Sequence, residues 1–297
     1  MRERPTDSTL VGLLWVSPWL VGFILFLAAP IILSFVYSLT DFPLLEPPLF
    51  VGFEQYSRLF RDPIFLTVVR NTLIYAAVAV PLGAALAVGL AVLLQRTGLL
   101  ATLGRAVVFL PSLVPVAAAA MIWLWLYNPK LGLINRLIEA VIGGLGIHGP
   151  NWLGDPSWSM IALIIMSLWS VGPFVVIHLA ALRDVPGELL EAATLDGLGP
   201  LARFRHITLP MISPVILFNV IVGLINAWQV FVIPFIMTKG GPDRATYFYS
   251  MYLYDAAFDY GRMGYACALG WIQLIIVLAT TALCLGVGRR VVYERAP

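Results

Sequence analysis

The chain has 297 residues, of which 60% are hydrophobic and only 11% charged, with a net charge of +2. Soluble domains carry about 25% charged residues, so this composition excludes an ordinary soluble globular protein and points to a membrane protein. The small net charge excludes a nucleic-acid binder, and two cysteines in one apolar stretch, Cys267 and Cys284, exclude a disulfide framework or a paired-cysteine metal site.

Six stretches lack any Asp, Glu, Lys or Arg: 8–40, 71–95, 106–129, 156–182, 207–238 and 263–288. A spanning helix needs about 20 apolar residues, so each stretch accommodates one span and none accommodates two. The first follows Arg2 and Arg4, as in a signal peptide, but its apolar part far exceeds the roughly 7–15 residues of a signal core, so it reads as an uncleaved span. The expected fold is an all-α membrane protein of six transmembrane helices. With the N-terminus inside, ten Lys and Arg residues are cytoplasmic and eight external. The short basic link between spans 2 and 3 (Arg96, Arg105), and Arg289 and Arg290 after the last span, favour both termini being cytoplasmic.

In that orientation the external loops are 41–67, 130–157 and 239–262. Their aromatic residues, among them Trp152, Trp158 and Tyr247, suit either an interfacial belt or a docking surface. The segments Asn151–Pro156 and Thr238–Pro242 are turn-rich and read as shaped loops. Segment 183–206 is then cytoplasmic, between spans 4 and 5. Pro186 suits a first helical turn, Glu188 and Glu191 complement the helix dipole, and Ala192 and Ala193 offer a surface that a partner can approach closely. Gly197 can take the left-handed conformation that ends a helix, and Pro200 opens a second short helix. Two short helices at an angle are expected, with an ordinary amphipathic interfacial loop as the alternative.

At mid-span depth, Asn219, Asn226 and Gln229 fall within about 80° on a helical wheel, with Trp228 alongside. Trp169 and Ser170 sit beside an expected kink at Pro173, and Gln273 is similar in the last span. Amides and indoles suit a sugar, but polar groups in spans also hydrogen-bond between helices. His178 reads as structural. Gly83, Ala84, Gly89 and 117–120 suit close helix packing.

Both lysines, Lys130 and Lys239, lie outside any Gly-Lys-Ser/Thr context, so this chain carries no phosphate-binding loop and ATP hydrolysis needs another polypeptide. Neither a metal-binding HExxH nor a GxSxG nucleophile elbow occurs. No catalytic or metal site is therefore expected. The spans lack the acid that an ion-coupled carrier normally uses, which speaks against the alternative class, a secondary (ion-coupled or facilitative) transporter of a small neutral solute.

The run EAATLDGLGPLARFRHITLP (191–210) resembles the signature of the permease subunits of binding-protein-dependent ABC importers. The matching positions are Glu191, Ala192, Ala193, Gly197, Ile207, Leu209 and Pro210. YNPKLGLIN (127–135), NWLGDP (151–156) and TKGGPDRAT (238–246) resemble its sugar-permease branch, of the maltose/glycerol-phosphate "first permease" type. GFEQY (52–56) is also similar, though that branch more often has Asn at the position of Gln55.

The resemblance implies a type I permease fold over 67–289, preceded by an N-terminal segment (1–66) and followed by a short tail (290–297). It implies a bacterial inner-membrane location and four kinds of partner. These are a second non-identical permease, a homodimeric cytoplasmic ATPase that binds ATP and Mg, an extracytoplasmic solute-binding protein, and a sugar or polyol. Residues 191–210 would be the ATPase-coupling segment. Asn226, Gln229, Trp228, Asn219, Trp169 and Ser170 would line the substrate path, and Trp152–Pro156 with Gly240–Pro242 would meet the binding protein.

Overall fold

The computed structural model describes residues 5–146 and 148–291. Arg2, Arg4 and Arg295 lie outside the described residues, as do the side chains of Arg289 and Arg290. In chain order the helices are α1 (Pro5–Phe23), α2 (Ala29–Ser38), α3 (Glu54–Arg61), α4 (Pro63–Leu94), α5 (Leu99–Phe109), α6 (Val116–Leu126), α7 (Leu133–Ile142) and α8 (Pro156–Trp169). They continue as α9 (Gly172–Arg183), α10 (Gly187–Leu195), α11 (Pro200–Arg203), α12 (Leu209–Trp228), α13 (Val232–Met237), α14 (Tyr249–Tyr254) and α15 (Met263–Val291). A strand pair, β1 (Thr40–Asp41) and β2 (Leu49–Phe50), is antiparallel with Thr40 opposite Phe50.

Four continuous helical runs are long and apolar enough to cross a membrane: Val11–Ser38, Pro63–Leu94, Pro200–Trp228 and Met263–Gly288. Two further spans are bent pairs. Leu99–Leu113 meets Val116–Leu126 at 103°, and Pro156–Trp169 meets Gly172–Arg183 at 49°. The third apolar stretch is thus not one helix. Pro111 and Pro115 interrupt it, each lacking the N–H that would continue the ladder. The fourth breaks at Ser170–Val171, and Pro173 opens α9, where a missing N–H costs nothing.

Two prolines are accommodated by wider turns. The π-helical turns Ile24–Ala28 and Phe204–Thr208 lie just ahead of Pro30 and Pro210. A π turn relieves the clash of a proline ring with the preceding turn's carbonyl. The second case changes the sequence expectation. The helix opened by Pro200 is not a separate short one, because it runs through Phe204–Thr208 into α12 as a single run, Pro200–Trp228.

The chain divides into two compact units, 1–62 with 253–272 and 63–252 with 273–297. In the first unit, buried Gln55 donates from Nε2 to the Thr40 carbonyl and to Asp41 Oδ1, both at 3.2 Å, which holds the β1 turn. Tyr265 donates its hydroxyl to Asp62 Oδ2 at 2.9 Å, and Trp271 meets Phe35 edge-on at 5.1 Å.

In the second unit, α4 packs on α8, α9 and α12. Its small buried residues, Ala87 and Ala91, meet Val171, Val175, Leu179, Leu182 and Ile212 in one apolar cluster. Gly172 lets α9 approach α5 so closely that an added Cβ would collide with the Val108 carbonyl and the Phe109 backbone.

Candidate functional site

Within the second unit, a cavity of about 680 Å³ opens among α4, α8, α9, α12 and α13. Helix interruptions border it: Val116 opens α6, Ser170 and Val171 separate α8 from α9, and Gln229 to Phe231 separate α12 from α13. Its wall contains no Asp, Glu, Lys, Arg or His. Val80, Phe174, Val222 and Ile233 supply apolar surface, and Tyr75, Ser167, Ser170, Asn219, Asn226 and Gln229 supply the polar groups.

Those polar groups divide into two kinds. Asn219 is buried, with its amide 3.1 Å from the ring of His178, which is itself fully buried and donates from Nδ1 to the Phe174 carbonyl at 2.7 Å. Asn219 and His178 thereby join α12 to α9, in line with a structural His178. Asn226 and Gln229 are exposed to the cavity, and among the described residues neither amide has a hydrogen-bond partner. They are the groups free to take a ligand.

Two of the expected path residues lie elsewhere. Trp228 is almost fully buried and meets Tyr249 edge-on at 6.0 Å, while its carbonyl accepts Gln273 Nε2 at 2.6 Å. Trp169 meets Trp123 at 5.9 Å. Neither tryptophan is in the cavity wall, and Gln273 likewise serves packing. Tyr75 and Ser167 are wall residues that the helical wheel of span 5 could not bring in, because they belong to other helices.

Segment 186–210 has the bend that the sequence implied, with adjustments. Pro186 caps α10 from outside, not in its first turn. Gly197 is left-handed (φ 81°). Leu198 N donates to the Ala193 carbonyl at 2.9 Å and Gly197 N to that of Thr194 at 3.1 Å, the paired bonds of a glycine-terminated helix end. Arg203 Nη1 donates to Thr194 Oγ1 at 2.6 Å, tying the bend shut from the far side. Glu191 and Ala192 are exposed, whereas Ala193 is buried and faces its own chain, so only the first alanine offers itself to a partner. Leu195 and Leu201 are 90% and 80% exposed beside them, an apolar surface at a charged segment. Ile207, Leu209 and Pro210 are half-buried where the chain enters α12.

The other quoted stretches are internal braces. Asn135 donates to the carbonyls of Pro129 and Pro150 and accepts Trp152 Nε1 at 2.6 Å, so YNPKLGLIN and NWLGDP are bonded to each other. Trp152 is consequently buried and not on an outer surface; Asp155 caps α8 through Ser157 N at 2.8 Å. TKGGPDRAT folds on itself through Thr246 Oγ1, which donates to the Gly241 carbonyl at 2.6 Å and lies 2.7 Å from Thr238 Oγ1. Asn71 of α4 binds this loop at the Arg244 and Tyr247 carbonyls, at 2.7 and 3.1 Å. Gly240 is buried there, while Lys239, Asp243 and Arg244 are exposed and adopt positive φ. Among the described residues, no cluster of three or more His, Cys, Asp or Glu side chains is arranged to hold a metal.

Broken apolar helices around an uncharged cavity, with an exposed bend set between two spans, define a membrane permease. The chain belongs to the family of binding-protein-dependent transport system inner membrane components, whose model matches residues 79–293. It is 36% identical over 279 residues to the probable ABC transporter permease protein YurN of Bacillus subtilis, covering 92% of this chain and 94% of that one. It is 32% identical to the trehalose/maltose transport system permease protein MalF of Thermococcus litoralis, covering 94% of each. The lactose transport system permease protein LacF of Rhizobium radiobacter is also 32% identical, with 90% of each chain covered. A crystal structure of a bacterial ABC transporter involved in the import of the acidic polysaccharide alginate has the same fold, with a TM-score of 0.82 over 97% of this chain and 99% of that one, at 22% identity.

Proposed function

We propose that the chain is one half of the translocation path of an ABC importer for a neutral sugar or polyol. The observation that carries this reading is the cavity wall: no charged group, apolar surface for a sugar's C–H faces, and two unpartnered amides, Asn226 and Gln229, for its hydroxyls. A charged solute would leave its charge desolvated there without a partner. The relatives named for trehalose/maltose and for lactose agree with it.

The remaining parts follow as proposals. A second, non-identical permease would complete the path, and an extracytoplasmic solute-binding protein would deliver the sugar, meeting the exposed Lys239, Asp243 and Arg244. A homodimeric cytoplasmic ATPase would bind ATP and Mg and hold the segment 191–210 through Glu191, Ala192 and the exposed leucines. Both termini would be cytoplasmic in a bacterial inner membrane, with 67–289 as the permease domain.

The test is uptake of labelled di- and trisaccharides and polyols by cells with and without the gene, complemented by the wild-type chain or by Gln229→Leu. Loss of uptake of at least one carbohydrate on deletion, restored by wild type and reduced with Gln229→Leu, is expected. Unchanged uptake across the whole panel, with loss of a charged solute instead, would refute the sugar assignment.

A further inference from the structure

Helix α7 (Leu133–Ile142) has an apolar face that no described residue covers: Leu133, Leu137 and Val141 are 44%, 56% and 80% exposed. These three span about 80° of the helix, and the charged pair Arg136 and Glu139 centres about 130° round from them. Asn135, about 160° round from that face, is buried and fixed to the Pro129 and Pro150 carbonyls and to Trp152. The helix is therefore held at a set rotation by its anchor. Its apolar edge points away from the protein, and its charges lie on neither of these faces.

We infer that α7 lies flat in the bilayer interface, with Leu133, Leu137 and Val141 in the acyl region and Arg136 and Glu139 at headgroup level. An amphipathic helix with segregated apolar and charged faces takes this position. The occupant of the exposed face is lipid, because an exposed apolar surface on a membrane-crossing stretch leads directly into it. Helix α6 precedes it by a turn of six residues and exposes Met121, Ile122 and Trp125, all apolar, on the membrane-crossing stretch. The turn itself exposes Lys130 and Leu131, one suited to headgroups and the other to acyl chains. The role is mechanical: a float at the end of α6 sets the depth of this span, and through the Asn135 anchor it fixes the start of α8. It requires only that the chain sit in a bilayer, whatever solute crosses it.

The experiment is site-directed spin labelling of the full-length chain in liposomes of phosphatidylcholine and phosphatidylglycerol. Cys267 and Cys284 are replaced by Ser, and labels are placed one at a time by Leu137→Cys, Val141→Cys, Arg136→Cys and Glu139→Cys, with Met121→Cys as the lipid reference. Labels at 137 and 141 should collide with oxygen as often as the label at 121. They should be several-fold less accessible to a water-soluble nickel complex than those at 136 and 139. Nickel access at 137 and 141 equal to that at 136 would show a solvated face and overturn the inference. Protection from both oxygen and nickel would show a protein surface over α7 and overturn it equally. The positions 137 and 141 are independent and both exposed, so either alone decides.

Discussion

The indole N–H of Trp152 donates to Asn135 Oδ1 at 2.6 Å with both residues buried, joining two stretches 17 positions apart. The same asparagine donates to two proline carbonyls, so one side chain pairs three groups, of which the Trp152 indole N–H is buried. Asn135→Leu keeps the volume and removes all three bonds. An unsatisfied buried donor costs about 1–3 kcal/mol. The variant should show a lower unfolding midpoint in mild detergent and faster proteolysis within 128–155, with cavity-dependent transport affected less than stability. An unchanged midpoint would mean that the loop is held by its aromatic contacts alone, Tyr127 and Trp158 each lying 5.3 Å from Trp152.

Gly172 and Gly223 make a paired test of backbone packing. A Cβ on Gly172 would meet backbone, including Phe109 Cα at 2.9 Å, which cannot move without shifting α5. A Cβ on Gly223 would meet Val80 Cγ1 at 3.1 Å, the end of a side chain that can yield. Gly172→Ala should cost about 1–3 kcal/mol, the usual range for overpacking, and Gly223→Ala distinctly less. Thermal unfolding of the two purified variants side by side reads the difference.

At Gly197 the space around an added side chain is open, with nothing within 4 Å of its Cβ, so any effect comes from the left-handed backbone alone. A β-branched residue there costs about 1–2 kcal/mol, while Asn tolerates the conformation. Gly197→Val should distort the bend that presents Glu191 and Ala192. It should uncouple ATP hydrolysis from uptake in membrane vesicles while the chain still inserts. Gly197→Asn should retain most coupling. Equal coupling in the Val variant and wild type would remove the bend from the mechanism.

How much of this was legible in the sequence depended on whether the signal was local. The left-handed Gly197 follows from a glycine placed where one helix ends ahead of the next helix start at Pro200, and Pro173 marked the break before α9 because a proline cannot continue a ladder. Facing was not legible. The polar arc of Asn219, Asn226 and Gln229 on span 5 does not say which residues face a cavity and which pack, and Trp228, next to Gln229 in the chain, could not be told from a cavity residue although it packs on Tyr249. The wheel also assumes an unbroken helix, whereas Gln229 caps α12 at φ −102°, ψ 7° and reaches the cavity from the break itself. The bend of 103° between α5 and α6 was written in Pro111 and Pro115, but two prolines do not specify an angle. Trp152 looked like an external aromatic because its partner, Asn135, lies on another stretch.

The three asparagine and glutamine residues of span 5 should therefore separate by experiment. Asn226 and Gln229 face the cavity and bond to no described group, so Asn226→Leu and Gln229→Leu remove only what a passing solute would bind. A neutral hydrogen bond is worth about 0.5–1.5 kcal/mol, so each should raise the half-saturating solute concentration or lower the uptake rate roughly two- to twelvefold. Neither should lower the unfolding midpoint. Asn219→Leu differs because its amide is buried against His178 of α9. It should lose stability first, and a His178→Phe variant should lose a similar amount. The double variant Asn219→Leu with His178→Phe should be less destabilised than the sum of the two, since an apolar pair leaves no buried group unpaired. Full additivity would show that the two side chains do not hold each other, and that Asn219 belongs with the free amides.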